Sequence, residues 1–143
     1  MTSESEGVFR VEEWNEEAFS EAEGGPVLKK AHVRKIYTGE IEGEGIVEYL
    51  FVYTGPQTAD IYGLERFSGR VDDKHGTFIF EHKGKFEDGI ADIVLEIIPR
   101  SGTGELHGIE GNIHFHAGME EKYPIVLHHQ LSKGLHLWKK LTS

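Results

Sequence analysis

Thr77-Phe78-Ile79-Phe80-Glu81-His82-Lys83-Gly84-Lys85-Phe86-Glu87-Asp88-Gly89-Ile90-Ala91-Asp92-Ile93-Val94-Leu95-Glu96-Ile97-Ile98 decides the fold. Two alternating runs flank the turn Glu87-Asp88-Gly89, which is the pattern of an antiparallel hairpin. Phe78, Phe80 and Phe86 share one face of the first run, and Ile93, Leu95 and Ile97 share one face of the second. The opposite faces carry Glu81, Lys83, Lys85, Asp92 and Glu96. Polar turns at Asp72-Asp73-Lys74-His75-Gly76 and Ser101-Gly102-Thr103-Gly104 bound the pair. Short strands at such tight spacing are the signature of an up-and-down barrel or a sandwich.

The same alternation extends in both directions. It predicts strands over Val8–Trp14, Leu28–Tyr37, Ile41–Tyr53, Ala59–Val71, Thr77–Phe86, Ile90–Ile98, Ile109–Ala117 and Tyr123–Gln130. Residues 1–7 are acidic and without an apolar core; they are expected to be disordered and are no signal peptide. Asn15–Gly25, acidic and glycine-terminated, reads as a loop or one short helical turn. Residues 8–130 form one barrel domain, and residues 131–143 extend it as a last strand or a short amphipathic segment. No linker or repeat divides the chain.

Folding each strand on the next tests this layout, because register decides which face every side chain takes. Turning about Gly39 sets Lys30 opposite Glu48 and Arg34 opposite Glu44. Further on, Glu42 falls opposite Arg70, Arg66 opposite Glu81 and Lys83 opposite Asp92. Such pairs contribute about 0.2–1 kcal/mol each and mark a wetted outer face. The other face holds Val33, Val47, Tyr49, Phe51, Ile61, Phe67, Phe78, Phe80, Phe86, Ile93, Leu95, Ile97, Ile113, Phe115, Ile125 and Leu127, with glycines at 43, 45 and 63 where a small barrel must bend. One apolar and one charged face over eight strands predict an all-β, eight-stranded antiparallel up-and-down barrel, with a two-sheet sandwich as the alternative.

At 143 residues the chain can bury a core without metal or disulfide, and it has no cysteine, which excludes thiol catalysis and zinc ribbons. Twenty-five acidic against fifteen basic residues give a formal charge of -10. That field repels phosphate backbones, and no basic stripe interleaved with aromatics overrides it. Nucleic acid and membrane are therefore not expected partners, and no apolar run approaches the length of a membrane span. A cytoplasmic protein is expected.

Four ionisable residues fall on the apolar face: Lys35, Glu65, His82 and His129. In this register Glu65 and His82 stand directly opposite each other, and a buried carboxylate requires such a partner. The pair either fixes strand register or lines a cavity as proton donor and acceptor, which makes Glu65 and His82 the candidate catalytic residues. Lys35, Tyr49, Phe51, Phe67, Phe78, Phe80, Phe115 and His129 are the candidate ligand-binding residues, and Tyr37 and Tyr53 are further donors nearer a rim. No nucleophile stands beside a base, so covalent catalysis is not expected. Ser101-Gly102-Thr103-Gly104-Glu105 lacks the Lys-Ser/Thr ending of a phosphate loop and reads as a turn.

His114, His116 and His128 share the outer face and are candidate metal ligands for zinc, nickel or copper. Glu110 is the carboxylate expected beside them. A histidine patch without a metal, or an oligomer contact, is the simpler reading, and no cofactor is expected.

Four segments carry a resemblance: Gly43-Glu44-Gly45-Ile46-Val47-Glu48-Tyr49-Leu50, Gly63-Leu64-Glu65-Arg66-Phe67-Ser68-Gly69, Glu81-His82-Lys83-Gly84-Lys85-Phe86-Glu87-Asp88-Gly89 and Ser101-Gly102-Thr103-Gly104-Glu105-Leu106-His107-Gly108-Ile109-Glu110-Gly111. Together, and over Phe9 to Leu127, the chain resembles a bacterial family known only as a domain of unknown function. The resemblance implies the allene oxide cyclase barrel, shared with dirigent proteins and some natural-product cyclases. It implies no reaction, because fold alone does not carry one. Two departures stand out. Arg100 replaces a glycine usual before Ser-Gly-Thr-Gly, and Val126-Leu127-His128-His129-Gln130 replaces a Leu-Asp-Tyr ending.

Three functions remain open from the residues. The first is a barrel that binds an apolar small molecule inside, with isomerase or cyclase action on it as the enzymatic version of that reading. The second is a non-enzymatic accessory or assembly protein with a packed core. The third is a metal-binding protein using the outer histidines. A homo-oligomer is expected in any of them, through outer apolar residues such as Ile46, Leu64 and Val94.

Overall fold

The computed structural model describes residues 2–131. Eight strands run in order: β1 (Ser3–Glu21), β2 (Val27–Gly39), β3 (Ile41–Gly55), β4 (Thr58–Val71), β5 (Lys74–Glu87), β6 (Ile90–Ile97), β7 (Ile109–Ala117) and β8 (Tyr123–Leu131). Each pairs antiparallel with the next, and β1 pairs with β8, so the sheet closes into an up-and-down barrel. Closure removes most of the sheet edge that an open eight-stranded sheet would have to protect. Among the described residues the one helical element is a short 3-10 turn, Gly104–Leu106. Among the described residues no helix is long and apolar enough to cross a membrane.

The apolar face expected from alternation is the barrel interior. Val47, Phe67, Phe78, Phe80, Ile113 and Leu127 are fully buried, and Val33, Leu95 and Ile97 nearly so. Rings stack through the centre, with Phe78 4.9 Å from both Phe67 and Phe80. The outer wall is charged, with ion pairs such as Arg70–Glu42 at 2.9 Å and Arg34–Glu44 at 2.8 Å. A strip of exposed apolar side chains, Leu50, Tyr62 and Leu64, interrupts it.

Register differs from expectation by two residues in three of four hairpins. Lys30 faces Leu50, Arg66 faces Ile79 and Lys83 faces Val94, while Glu42 does face Arg70. In the β4–β5 and β5–β6 hairpins the turns explain the difference. Asp72-Asp73 and Asp88-Gly89 are two-residue loops, and Asp72, Asp88 and Gly89 have φ of 54°, 51° and 82°. Positive φ suits the right-handed twist of the flanking strands, so the chain resumes pairing at once. Strand β5 accordingly begins at Lys74, not Thr77.

The N-terminus is also corrected. Residues 3–7 are not disordered, because Ser3–Phe9 pairs with His129–Tyr123 of β8. Nor is Asn15–Gly25 a loop throughout, since β1 continues to Glu21 against β2 with irregularities at Val11/Glu13 and Ala18/Ser20. This part of β1 lies almost wholly exposed, so neither face shows the apolar alternation of a half-buried strand. Lys29–Glu16 at 3.6 Å and Lys30–Glu17 at 3.2 Å flank its backbone pairing instead. Of the expected C-terminal extension, residues 132–143 lie outside the described residues.

The two ends of the barrel differ. Between β6 and β7 the chain crosses one end and takes over pairing with β5, through Ile98 N–H to Ile79 O and Thr103 N–H to Thr77 O, both at 2.8 Å. Leu106, carried on the 3-10 turn, is 1% exposed and closes that end together with Ile109. At the other end no such segment crosses among the described residues. There too β7 and β8 part company: their pairing covers only Ile109–Asn112 against Leu131–His128.

Candidate functional site

The open end leads into a cavity of about 370 Å³. Phe9 and Trp14 of β1, Tyr49, Phe51 and Tyr53 of β3, Ile61, Phe86, Ile93 and Tyr123 form much of its wall, and Met119 stands at its rim. Trp14 is half exposed and stacks near Phe51, with ring centroids 6.2 Å apart. Lys35 is the charged residue of the lining. Its ammonium lies 4.1 Å from the centre of the Phe9 ring, where the negative face of the aromatic partly replaces water.

Below the cavity lies a closed polar cluster centred on Glu65. Oε1 accepts from Lys35 Nζ at 3.2 Å and lies 2.6 Å from His82 Nε2. Oε2 accepts from the Tyr37 hydroxyl at 2.6 Å. Tyr49 Oη lies 3.0 Å from His82 Nδ1. Glu65 is 0% exposed, and Lys35, Tyr37 and His82 are each 1% exposed. Every buried side-chain polar atom among the described residues has a partner. Such satisfaction is what makes a buried charge tolerable.

Two glycines make room for this cluster. A Cβ at Gly45 would lie 2.0 Å from Glu65 Oε2, and one at Gly63 would lie 2.7 Å from the Tyr49 ring. Glycine at 45 is therefore required by the carboxylate across the ladder, and glycine at 63 by the ring of Tyr49.

The electrostatics follow from burial and pairing. Burial opposes the charge on Glu65, but the Lys35 ammonium and the hydrogen bonds from His82 and Tyr37 outweigh it and hold the carboxyl at about 2. Burial lowers His82 against the opposing pull of Glu65, so the ring is neutral near pH 7. A neutral His82 donates from Nε2 to Glu65 and accepts the Tyr49 hydroxyl at Nδ1, which fits both contacts. Burial also lowers Lys35, opposed by Glu65, and raises Tyr37 and Tyr49. With Lys35 cationic, Glu65 anionic and His82 neutral, the cluster carries no net charge.

The expected site residues thus divide into groups. Lys35, Tyr49 and Phe51 line the cavity. Glu65 and His82 touch each other but sit beneath it, outside its wall. They are not cross-strand partners, since Glu65 faces Phe80 and His82 faces Gly63. Phe67, Phe78 and Phe80, expected in the lining, pack deeper as solid core. Phe115 is buried against Phe9 at 5.2 Å and borders the parted seam of β7 and β8. His129 is at the closed end, where Nε2 lies 2.7 Å from Ser5 Oγ and 3.7 Å from Asp72. Tyr37, placed near a rim by the sequence, is instead a deep donor to Glu65.

Phe9, Trp14, Ala59 and Tyr123 are wall residues that the sequence reading left out. Phe9 had a usable signal, its alternation with Arg10 and Val11, whereas Trp14 lies where β1 runs past the core. On the outer face, His128 sits 3.6 Å from Glu4. The carboxylate beside His114 and His116 is Asp92, not Glu110.

A family model described as "Protein of unknown function (DUF3224)" matches residues 5–128. The chain belongs to this family. A DUF3224 protein of unknown function from Shewanella oneidensis MR-1, known from its crystal structure, has the same fold with a TM-score of 0.80. It is 24% identical, and the match covers 92% of this chain and 99% of that one. No curated protein matches the sequence closely enough to count as a relative. The DUF3224 match spans every strand of the barrel and both halves of the polar cluster.

Proposed function

We propose that this DUF3224 protein binds a small, mainly apolar molecule through the open end of its barrel, with Lys35 as the polar contact at the base of the cavity. One observation carries the reading: a 370 Å³ cavity walled by aromatic and aliphatic side chains, with one cation in its lining. Ligand sites combine a concave apolar wall with few convergent polar groups, and the volume falls within their usual range of about 300–1,000 Å³. A carbonyl or carboxylate on the ligand would meet Lys35, and the rest would lie against Phe51, Ile61 and Ile93.

Binding is favoured over catalysis by Glu65 and His82. Both carboxylate oxygens already accept hydrogen bonds, and Tyr49 and Glu65 engage both ring nitrogens of His82. Neither residue reaches the cavity, whereas a general base must stand within hydrogen-bond reach of the proton it takes. Their role is to hold Lys35 charged and oriented.

The test is titration with an anionic hydrophobic fluorophore and a neutral analogue, read through probe emission and quenching of tryptophan emission, in the parent and in Trp138→Phe so that the signal is that of Trp14. One saturable site is expected for both. Ala117→Trp, which fills the wall, should abolish binding of both. Lys35→Met should weaken the anionic probe selectively, by about tenfold for a lost charge-assisted contact. Saturable binding that survives Ala117→Trp would place the ligand elsewhere and overturn the reading.

A further inference from the structure

On the outside of the barrel, β6 and β7 bring two imidazoles and a carboxylate to one patch. His114 and His116 are two residues apart on β7 and so face the same way, with ring centroids 5.1 Å apart. Asp92 stands opposite His116 in the ladder. Its Oδ1 lies 2.6 Å from His114 Nε2, and its Oδ2 lies 3.6 Å from His116 Nε2. One donor atom from each residue can be chosen so that all lie within 4.8 Å of one another. We propose that Asp92, His114 and His116 bind a divalent transition cation of the zinc type, at a site separate from the barrel cavity.

The donor set selects the metal. Two imidazoles and one carboxylate suit zinc, cobalt, nickel or copper, whereas magnesium and calcium require shells built mostly of oxygen. Bonds of about 2.0–2.2 Å in a tetrahedral arrangement hold donor atoms roughly 3.3 Å apart. The distances here bracket that figure, and side chains 55–63% exposed can rotate to reach it. The paired backbones of β6 and β7 hold the three Cα positions, so closing the site orders side chains only.

The surroundings agree. Lys85 of β5 faces Asp92 across the ladder and is a cation that could compete. Its ammonium turns instead to Asp60, at 3.8 Å. A formal charge of -10 on the chain draws cations toward the surface. Three protein donors on an exposed wall leave a position for water, as in open rather than closed zinc sites. His128 belongs to a different pair, with Glu4, and is not a ligand.

The full chain, purified without an affinity tag and stripped with a chelator, would be titrated with zinc chloride by calorimetry while the imidazole resonances are followed by NMR. One zinc per chain is expected, with the His114 and His116 signals shifting together. Asp92→Asn and His116→Ala should each weaken binding by about tenfold or more, while His128→Ala leaves it unchanged. These exposed substitutions leave the core intact, which a thermal melt would confirm. Absence of saturable binding at millimolar zinc, or binding that Asp92→Asn does not weaken, would overturn the proposal. So would binding lost in His128→Ala.

Discussion

His82 leans diagonally onto Glu65, Nε2 to Oε1 at 2.6 Å, across a ladder in which neither is the other's partner. Direct neighbours across a ladder meet easily, but diagonal ones are about 7–8 Å apart at Cα and need long side chains to touch. Gly63 stands opposite His82 and offers no side chain of its own. The contact therefore depends on three residues from two strands, and Lys35 and Tyr37 of β2 complete it.

Removing the charge on Glu65 should leave the Lys35 ammonium buried beside neutral partners. Glu65→Gln is expected to cost about 3–5 kcal/mol, the usual loss when one member of a buried pair is deleted. Adding Lys35→Met to Glu65→Gln should recover more than half of it. Urea unfolding of both singles and the double variant measures this, and strictly additive losses would refute the coupling.

Tyr37→Phe keeps the ring but removes one donor from the carboxylate. A loss of about 1.5–3 kcal/mol is expected, the range for hydrogen bonds to charged groups. The carboxyl should also titrate higher in this variant, because the Tyr37 hydrogen bond helps to lower it. Carbon-13 NMR of the Glu65 carboxyl gives the direct comparison with the parent.

Acid should destabilise the barrel in two stages. His82 is lowered in the folded state from an ordinary value of 6.5, so the unfolded chain binds more protons, and stability falls as pH drops below about 6.5. Glu65 is lowered from 4.5 to about 2, so its contribution is full above 4.5 and is lost as pH falls toward 2. Half-buried His129, lowered by burial against Asp72, adds to the first stage. Unfolding free energy against pH should show both slopes, and His82→Asn should flatten the upper one. In Glu65→Gln the His82 ring should titrate lower still by NMR, because the carboxylate opposes its fall.

Gly45→Ala tests how tightly the carboxylate is enclosed. The new methyl would begin 2.0 Å from Glu65 Oε2, an overlap that should cost about 1–3 kcal/mol. In a Glu65→Ala background the same substitution should cost far less. An equal penalty in both backgrounds, by thermal melting, would show that something other than the carboxylate excludes the side chain.

Parity was legible in the sequence where register was not, and the turns explain both. A side chain changes face with every residue but returns after two. Reading Asp72 to Gly76 as one long turn moved the hairpin centre by one residue and every partner by two. Thus Glu65 and His82 kept the interior although the residues opposite them are Phe80 and Gly63. The outer part of β1 was illegible for a different reason. Glu16, Glu17 and Ser20 pair with β2 on an exposed stretch flanked by ion pairs, and an exposed strand has no apolar face to reveal it. Phe80 and Phe51 look alike in an alternation pattern. Depth along the barrel, which makes one core and the other cavity wall, comes from strand tilt and from the crossing segment at the closed end.

That crossing segment, with Leu106 seated under the core, makes the barrel a cup and not a conduit. A ligand bound there, as proposed, would have to enter and leave from the rim side, where Trp14 and Met119 stand, and could not pass out through the floor.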